Sequence, residues 1–301
     1  MSSRRQLSGL HELGNRYQGV LLDQFGVLHD GQIAYDDAAS AVKWLHEQDM
    51  KVLIVSNSSK RSTNALQRIQ QFGFNTNWFI GAVTSGEVTH VQLTDRPTSE
   101  LQHLGNSCLH FTWKSRGTVS LEGLELQVVQ EPSDADFILS HGTEALGQQE
   151  GTEAQAMSIK AIKAVLQVCA QQARPPPMVV ANPDVVTVSG SDLIPMPGTL
   201  AEYYAGLGGK ILWMGKPDPV IYKVALQMLQ LPKEKVIAIG DSLQHDIQGA
   251  CNAGVDSIFI SGGIHAKDIA ATNGEVDEEK VLQLFQQHQV EPTYTMPALR
   301  I

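Results

Sequence analysis

Residues 19–57 read GVLLDQFGVLHDGQIAYDDAASAVKWLHEQDMKVLIVSN. A short apolar run, GVLL, stops at Asp23 and a turn containing Gly26. A stretch with Ala38, Val42 and Leu45 at helical spacing follows, with charges between them,. A second apolar run, KVLIV, then stops at Ser56-Asn57-Ser58. Strand, helix, strand in that order predicts two parallel strands joined by a crossover helix. The apolar runs are continuous rather than alternating, which is what strands covered on both faces require.

The same order recurs along the chain. STNALQRIQQFGF (62–74) reads as a helix capped by Ser62 or Thr63 and ended near Gly73,. Further on come the strand KILWMG (210–215), the helix DPVIYKVALQMLQ (218–230), the strand KVIAIGD (235–241), the helix QHDIQGACNAG (244–254) and the strand DSIFIS (256–261). The expected fold class is α/β, a Rossmann-like parallel sheet core with helices on both faces. The middle differs. SCLHFTW (107–113) and LELQVVQ (124–130) are less uniformly apolar, and the strand ADFILS (135–140) and helix EAQAMSIKAIKAVLQVCAQQ (153–172) follow. The run RPPP (174–177) forces an extended stretch before MVVANP leads back to the second α/β series,. The expected organisation is a core from residues 1–86 and 182–301, with a smaller α/β cap, 87–181, inserted between.

Composition narrows the function. A net charge of −10 argues against a nucleic-acid partner, which is bound through clustered Lys and Arg,. It leaves room for a small anion in a locally positive pocket. Cys108, Cys169 and Cys251 are far apart with no CxxC spacing, which predicts a reducing compartment, cytoplasm or organelle matrix, rather than a disulfide or zinc framework,. No apolar run approaches a membrane span, and the first residues carry no signal-like apolar segment,.

Ligands of parallel α/β sheets collect at the carboxyl ends of the strands. Those ends carry Asp23, Ser56-Asn57-Ser58, Lys216 and Asp241, and Asp246 lies one turn further into a helix. Carboxylates gathered at one site repel unless a cation joins them, and oxygen-only ligation favours magnesium. Hydroxyl and amide donors with a lysine suit phosphoryl oxygens. A nearby carboxylate can attack phosphorus. Each motif alone has a plainer reading. Asp23 alone is a cap or turn residue, GKP a turn, and GDSLQHD a strand-to-helix turn; the case rests on their order and spacing together.

That set resembles the haloacid dehalogenase superfamily of phosphatases. DQFGVLHDG corresponds to its first motif, normally DxDGT or DxDGV, and VLIVSNSS to its second. GKPDPVIYKVAL carries the lysine of the third, and IGDSLQHDIQGACNAG matches the fourth, GDxxxxD followed by AxxAG. GAVTSGEVT, ANPD and PGTLAEYYAGLGGK resemble the subclass with a large α/β cap, which includes sugar-phosphate and nitrophenyl-phosphate phosphatases. The resemblance implies an aspartyl-phosphate mechanism on a small phosphorylated metabolite, with Mg2+ as cofactor. It makes Asp23 the nucleophile and a metal ligand, and it gives the metal the main-chain carbonyl of Phe25. Asp241 and Asp246 complete the metal site. Ser56, the amide of Asn57 and Lys216 hold the phosphoryl group. The cap covers the mouth of the site, closes by hinge motion near residues 86 and 182, and admits a homodimer through its surface.

Phe25 departs from the pattern. The family's second acid at this position protonates the leaving oxygen and then activates water. Phenylalanine keeps the carbonyl but has no proton to transfer, and losing a general acid–base costs about 10²–10⁴ in rate. A catalytically weak protein that binds a phosphorylated ligand is the alternative reading. His29, with Asp30 beside it, is a candidate substitute acid, against a plain turn in HDG. Within the cap, His141, Thr143 and Glu144 after the strand FILS are candidates for substrate contact, against an ordinary helix start. Lys60 and Arg61 are candidates for added positive potential. GDSL at 240–243 also matches a serine esterase block, with Ser242 as nucleophile, but no DxxH follows,.

Overall fold

The computed structural model describes residues 5–96, 99–117, 119–149, 152–189, 192–270 and 276–301. Two compact units divide the chain: residues 1–56, 62–83 and 216–301 form one, and residues 57–61 and 84–215 the other.

The first unit is built on a seven-stranded sheet. Its strands are β1 (Arg5–Gln6), β2 (Gly19–Leu22), β3 (Lys51–Ser56), β4 (Gly81–Thr84), β14 (Val236–Gly240), β15 (Asp256–Ile260) and β16 (Tyr294–Met296). The order is β1-β16-β15-β14-β2-β3-β4, and the pairs from β1 to β3 run parallel. β2 therefore sits between β14 and β3, with Leu22 opposite both Ile239 and Ile54. The run GVLL is buried along its whole length, as a central strand with both faces covered must be,. Helices α1 (Ala38–Glu47) and α2 (Ser62–Gln71) follow β2 and β3. Ala38, Ala41, Val42 and Leu45 of α1 join Val20, Leu22, Val52, Ile54, Ile237 and Ile239 in one core. The family of strand ends that carries Asp23, Ser56 and Asp241 thus shares one edge of three adjacent strands.

The rest of this unit supplies the third and fourth motifs. Helix α6 (Pro219–Leu229) starts at Asp218, whose side chain accepts from the Val220 N–H at 2.9 Å, with Pro219 at its first position,. After β14 the chain makes a π turn, Leu243–Ile247, before helix α7 (Gln248–Ala253). Helix α8 (Glu278–His288) adds Leu284 and Phe285 to a smaller core with Leu243, Ile247 and Phe259.

The second unit has its own sheet. It comprises β5 (Ser107–Thr112), β6 (Gln127–Val128), β7 (Phe137–Ser140), β8 (Ala145–Leu146), β9 (Gln155–Ala156), β10 (Met178–Val180) and β13 (Ile211–Trp213). The order is β13-β10-β7-β5-β8-β9, with β6 also on β5. A hairpin, β11 (Val186–Ser189) and β12 (Asp192–Pro195), stands apart from it. Helices α3 (Ser85–Thr94), α4 (Ile159–Ala170) and α5 (Pro197–Gly206) belong to this unit. Ile162 and Leu166 of α4 and Leu200 and Tyr204 of α5 pack with Leu109, Phe111, Ile138, Met178 and Val180.

The sequence-based boundaries shift. The sequence order puts KILWMG in the core series, but Ile211–Trp213 pair in parallel with Met178–Val180 in the second sheet. The inserted unit runs to Gly215 rather than 181, and it takes in residues 57–61 and 84–86. The reason is physical: an apolar run announces a buried strand but not its sheet. Here α5 is the crossover between β10 and β13. LELQVVQ contributes only two strand residues.

Leu22 is fully buried in the middle of the core sheet. Leu22→Ala should destabilise the protein by about 2–5 kcal/mol through lost transfer energy and the cavity left behind. Urea unfolding followed by circular dichroism checks this through a lowered midpoint at unchanged slope.

Candidate active site

Asp23 leaves β2 with its main chain still in the ladder, since its N–H donates to Ile239 O at 2.9 Å. The loop then folds on itself. The N–H groups of Val27, Leu28 and His29 all donate to Gln24 O, at 3.3, 2.8 and 3.3 Å. Gly26 has φ +80°, and a Cβ there would run into the Asp241 carboxylate. Both the positive φ and the close approach demand glycine.

Asp241 follows β14, and its Oδ2 accepts from the Ile264 N–H at 2.7 Å. A Cβ at Gly263 would also strike this carboxylate. Asp246 projects from the π turn, a form that recurs at functional sites,. Its Oδ2 accepts from the Ser242 N–H at 3.1 Å. Lys216 reaches in from the loop before α6. Its Nζ donates to Asp23 Oδ1 and Asp246 Oδ1, each at 2.6 Å. Asp23, Asp241 and Asp246 each offer a carboxylate oxygen, all within 4.8 Å of one another. Four of the sequence-chosen residues thus meet at one point, and all four are buried.

The electrostatics follow from that burial. Desolvation pushes Asp23 up to about 7; Lys216 opposes the shift and Asp246 adds to it. Asp241 is pushed well above the carboxylate range by burial, with Asp23 and Asp246 contributing. Burial alone would lower Lys216, but the Asp23 and Asp246 charges hold it well above its ordinary value. Three carboxylates and one ammonium leave an excess of two negative charges when all are ionised. The donors are all oxygen, so the set fits a hard divalent cation.

The other candidates fall out as follows. Ser56 ends β3, two residues past the Ile54–Leu22 pair. Asn57 groups with the second unit, where its Nδ2 donates to Asp184 Oδ1 at 2.9 Å and its Oδ1 accepts from Ser85 Oγ at 3.4 Å. Phe25 is 37% exposed and meets His29 edge-on. His29 does not fit the substitute-acid role. Its Nδ1 accepts from the Gly31 N–H at 3.0 Å, and its ring stacks on Phe72. Burial, with Arg68 nearby, lowers it to about 4.

Ser242 is a capping residue: its Oγ accepts from the His245 N–H at 3.2 Å. Arg61 forks onto Glu87 with two 2.8 Å bonds, so its charge is balanced within its own unit.

The expected cap contacts are internal. His141 Nδ1 pairs with His110 Nε2 at 3.0 Å, and Thr143 donates to Pro195 O at 3.1 Å. Glu144 accepts from the Lys114 and Ser115 N–H groups and the Ser115 hydroxyl. Each of the three side chains thus has a hydrogen-bond partner within its own unit.

Sequence reasoning missed Tyr222, whose hydroxyl donates to the Asp246 main-chain oxygen at 3.1 Å. It also missed the Gly263-Ile264 turn under Asp241. The SGG that follows β15 was a usable signal for the turn; Tyr222 reads simply as a buried helix position.

Comparison with known proteins agrees with this constellation. A haloacid dehalogenase-like hydrolase model matches residues 20–116, and an HAD-hydrolase-like model matches residues 213–284. An acid sugar phosphatase of Staphylococcus haemolyticus is 26% identical over 251 residues, 82% of this chain and 86% of the relative. A solved haloacid dehalogenase-like hydrolase from Brucella suis is 27% identical, covers 97% of this chain and 99% of its own, and superposes with a TM-score of 0.76. A possible sugar phosphatase from Cytophaga hutchinsonii shares the fold, with a TM-score of 0.73 at 17% identity and 99% coverage of both chains. The chain belongs to the haloacid dehalogenase-like hydrolase superfamily, in the subclass with an inserted α/β unit. No helix among the described residues is long and apolar enough to cross a membrane.

A pH dependence follows. In the unfolded chain Asp23 ionises near its ordinary value, but in the fold it ionises near 7. Between those limits the folded state binds more protons than the unfolded one, so stability of the metal-free protein should fall as pH rises from about 4 to about 7. A divalent cation competes with those protons. Millimolar Mg2+ should therefore raise the melting temperature by a few degrees at pH 8 and by less at pH 5. Asp241→Asn should raise metal-free stability at pH 8 and remove most of the Mg2+ effect. Scanning calorimetry of both proteins reads all of these, and an Mg2+ effect equal at both pH values would contradict the site.

Proposed function

We propose that the chain is a phosphatase-type hydrolase that uses Asp23 to remove the phosphoryl group from a small phosphorylated metabolite. The supporting observation is the placement of Lys216 Nζ 2.6 Å from both Asp23 and Asp246, with Asp241 in the same cluster. In this reading Asp23, Asp241, Asp246 and the Phe25 main-chain carbonyl hold Mg2+, which supplies positive charge to phosphoryl oxygens. An Asp23 oxygen attacks phosphorus, and the bond to the ester oxygen breaks with its electron pair going to the leaving group. Water then attacks the aspartyl phosphate, releasing inorganic phosphate and restoring the carboxylate. Lys216 offsets the repulsion between the attacking carboxylate and the phosphoryl group. Ser56 holds that group. The staphylococcal relative's name makes sugar phosphates the first substrates to try.

A second reading keeps the binding site but not the turnover. It is favoured by Phe25 and by the neutral, stacked state of His29, which leave no acid in the Asp23 loop suited to protonate a leaving oxygen.

One kinetic series separates the two. Phosphate release should follow leaving-group pKa steeply, with nitrophenyl and acyl phosphates hydrolysed far faster than alkyl ones. Phe25→Asp should restore the poor leaving groups by about 10²-fold or more where the pocket accepts the charge. Asp23→Asn should abolish release from every ester. Tight phosphate-ester binding with no release from even nitrophenyl phosphate would favour the binding protein. A flat series would mean that another group donates the proton.

A further inference from the structure

Helix α6 begins two residues after Lys216-Pro217, and Tyr222 lies in its first turns, 2% exposed. The Tyr222 hydroxyl donates to the main-chain oxygen of Asp246 at 3.1 Å. Its ring lies against Gly249, where a Cβ would collide with it. Both contacts fall where the π turn Leu243–Ile247 becomes α7.

That junction sets the direction in which Asp246 leaves the backbone. The Asp246 and Ile247 N–H groups both donate to Ser242 O, at 2.9 and 3.1 Å. A π turn is rare and recurs mostly at functional sites; this one leads from β14 into α7. Here the Asp246 side chain is fixed by Lys216 and the Ser242 N–H, while its carbonyl is fixed by Tyr222. Lys216 and Tyr222 belong to one run of chain, Asp246 and Gly249 to another. The two runs are therefore tied twice through a single residue.

We propose that Tyr222 is a positioning residue whose hydroxyl holds the π turn so that Asp246 faces Lys216 and the other two carboxylates. Its consequence for the metal rests on the reading that these carboxylates hold a divalent cation; its consequence for Lys216 does not. Hydrogen bonds of this outer kind typically change metal affinity by about 10–100-fold when removed.

Tyr222→Phe in the full chain keeps the ring on Gly249 and removes only the hydroxyl. Three measurements apply: the metal-free melting temperature, the Mg2+ dissociation constant by calorimetry, and the rate of Lys216 acylation read by peptide mass spectrometry. The melting temperature should move by only a few degrees. The Mg2+ dissociation constant should rise about tenfold, and Lys216, now less firmly held, should acylate several-fold faster. Unchanged Mg2+ affinity together with unchanged Lys216 reactivity would overturn the proposal. If the unmodified protein binds no Mg2+, the metal reading fails and the lysine rate alone decides this one: faster supports it, unchanged overturns it. Gly249→Ala displaces the ring from the other side and should speed Lys216 acylation as well; a wild-type rate in that variant also counts against the role.

Discussion

The ammonium of Lys216, buried between Asp23 and Asp246, holds the site together. Charges taken out of water are tolerated only when they are paired with good geometry, and removing one partner of a buried pair typically costs about 3–5 kcal/mol. The fold meets that condition by bringing three distant stretches to one place. Asp23 comes from the end of β2, Asp246 from a π turn after β14, and Lys216 from the loop that leads into α6. Adjacent parallel strands bring the first two together. The Asp218 cap and Pro219 start α6 at once, so the lysine stays in the loop before it. One positive charge does not balance three carboxylates; burial first raises Asp23 and Asp241, and the neighbouring carboxylates add to the shift. A divalent cation would supply the missing charge.

Space is the second constraint. Asp241 is packed so closely against Gly26 and Gly263 that a Cβ at either would reach its carboxylate. The loop after β2 and the turn after β15 therefore confine the same side chain. The Ile264 N–H, delivered by that turn, bonds to the Asp241 oxygen. This arrangement fixes the carboxyl through a main-chain donor. Fixed backbone dipoles tolerate an added cation better than a second lysine would, because they do not compete with its charge.

Most of the site was legible because its signals are local. An apolar run that stops at a carboxylate or hydroxyl marks a strand end, and parallel strands place such ends together whatever the rest of the chain does. Asp23 and Asp241 are legible in this way, whereas Lys216 follows a strand of the other sheet and Asp246 lies in the turn past β14, so those two are carried by motif spacing. What failed was nonlocal. KILWMG was rightly a strand but wrongly placed, since the choice between sheets depends on pairing with Met178–Val180. The internal partners of His141, Thr143 and Glu144 are likewise nonlocal and invisible in sequence. Tyr222 was hidden because a tyrosine flanked by Val220, Ile221 and Ala225 reads as core, and its ring is core; only the hydroxyl does more. A main-chain donor such as the Ile264 N–H has no residue type to give it away.

The Asp23 loop shows what a single departure removes and what it leaves. Phe25 has no proton to transfer, and His29 is not placed to supply one. His29 has its Nδ1 committed to the Gly31 N–H, so a neutral ring carries its proton on Nε2. With its value near 4, only about one part in a thousand of the ring is cationic at pH 7,. Asp23, the buried lysine and the carboxylate cluster are untouched by the departure, and Gly26 still keeps its fit against Asp241. In the proposed reaction, attack on phosphorus would draw on those retained parts, whereas departure of a basic oxygen would draw on the lost one. The energetic consequence falls on the leaving group rather than on the phosphoryl group. A loop altered in this way narrows the range of esters a site can open before it closes the site to chemistry altogether.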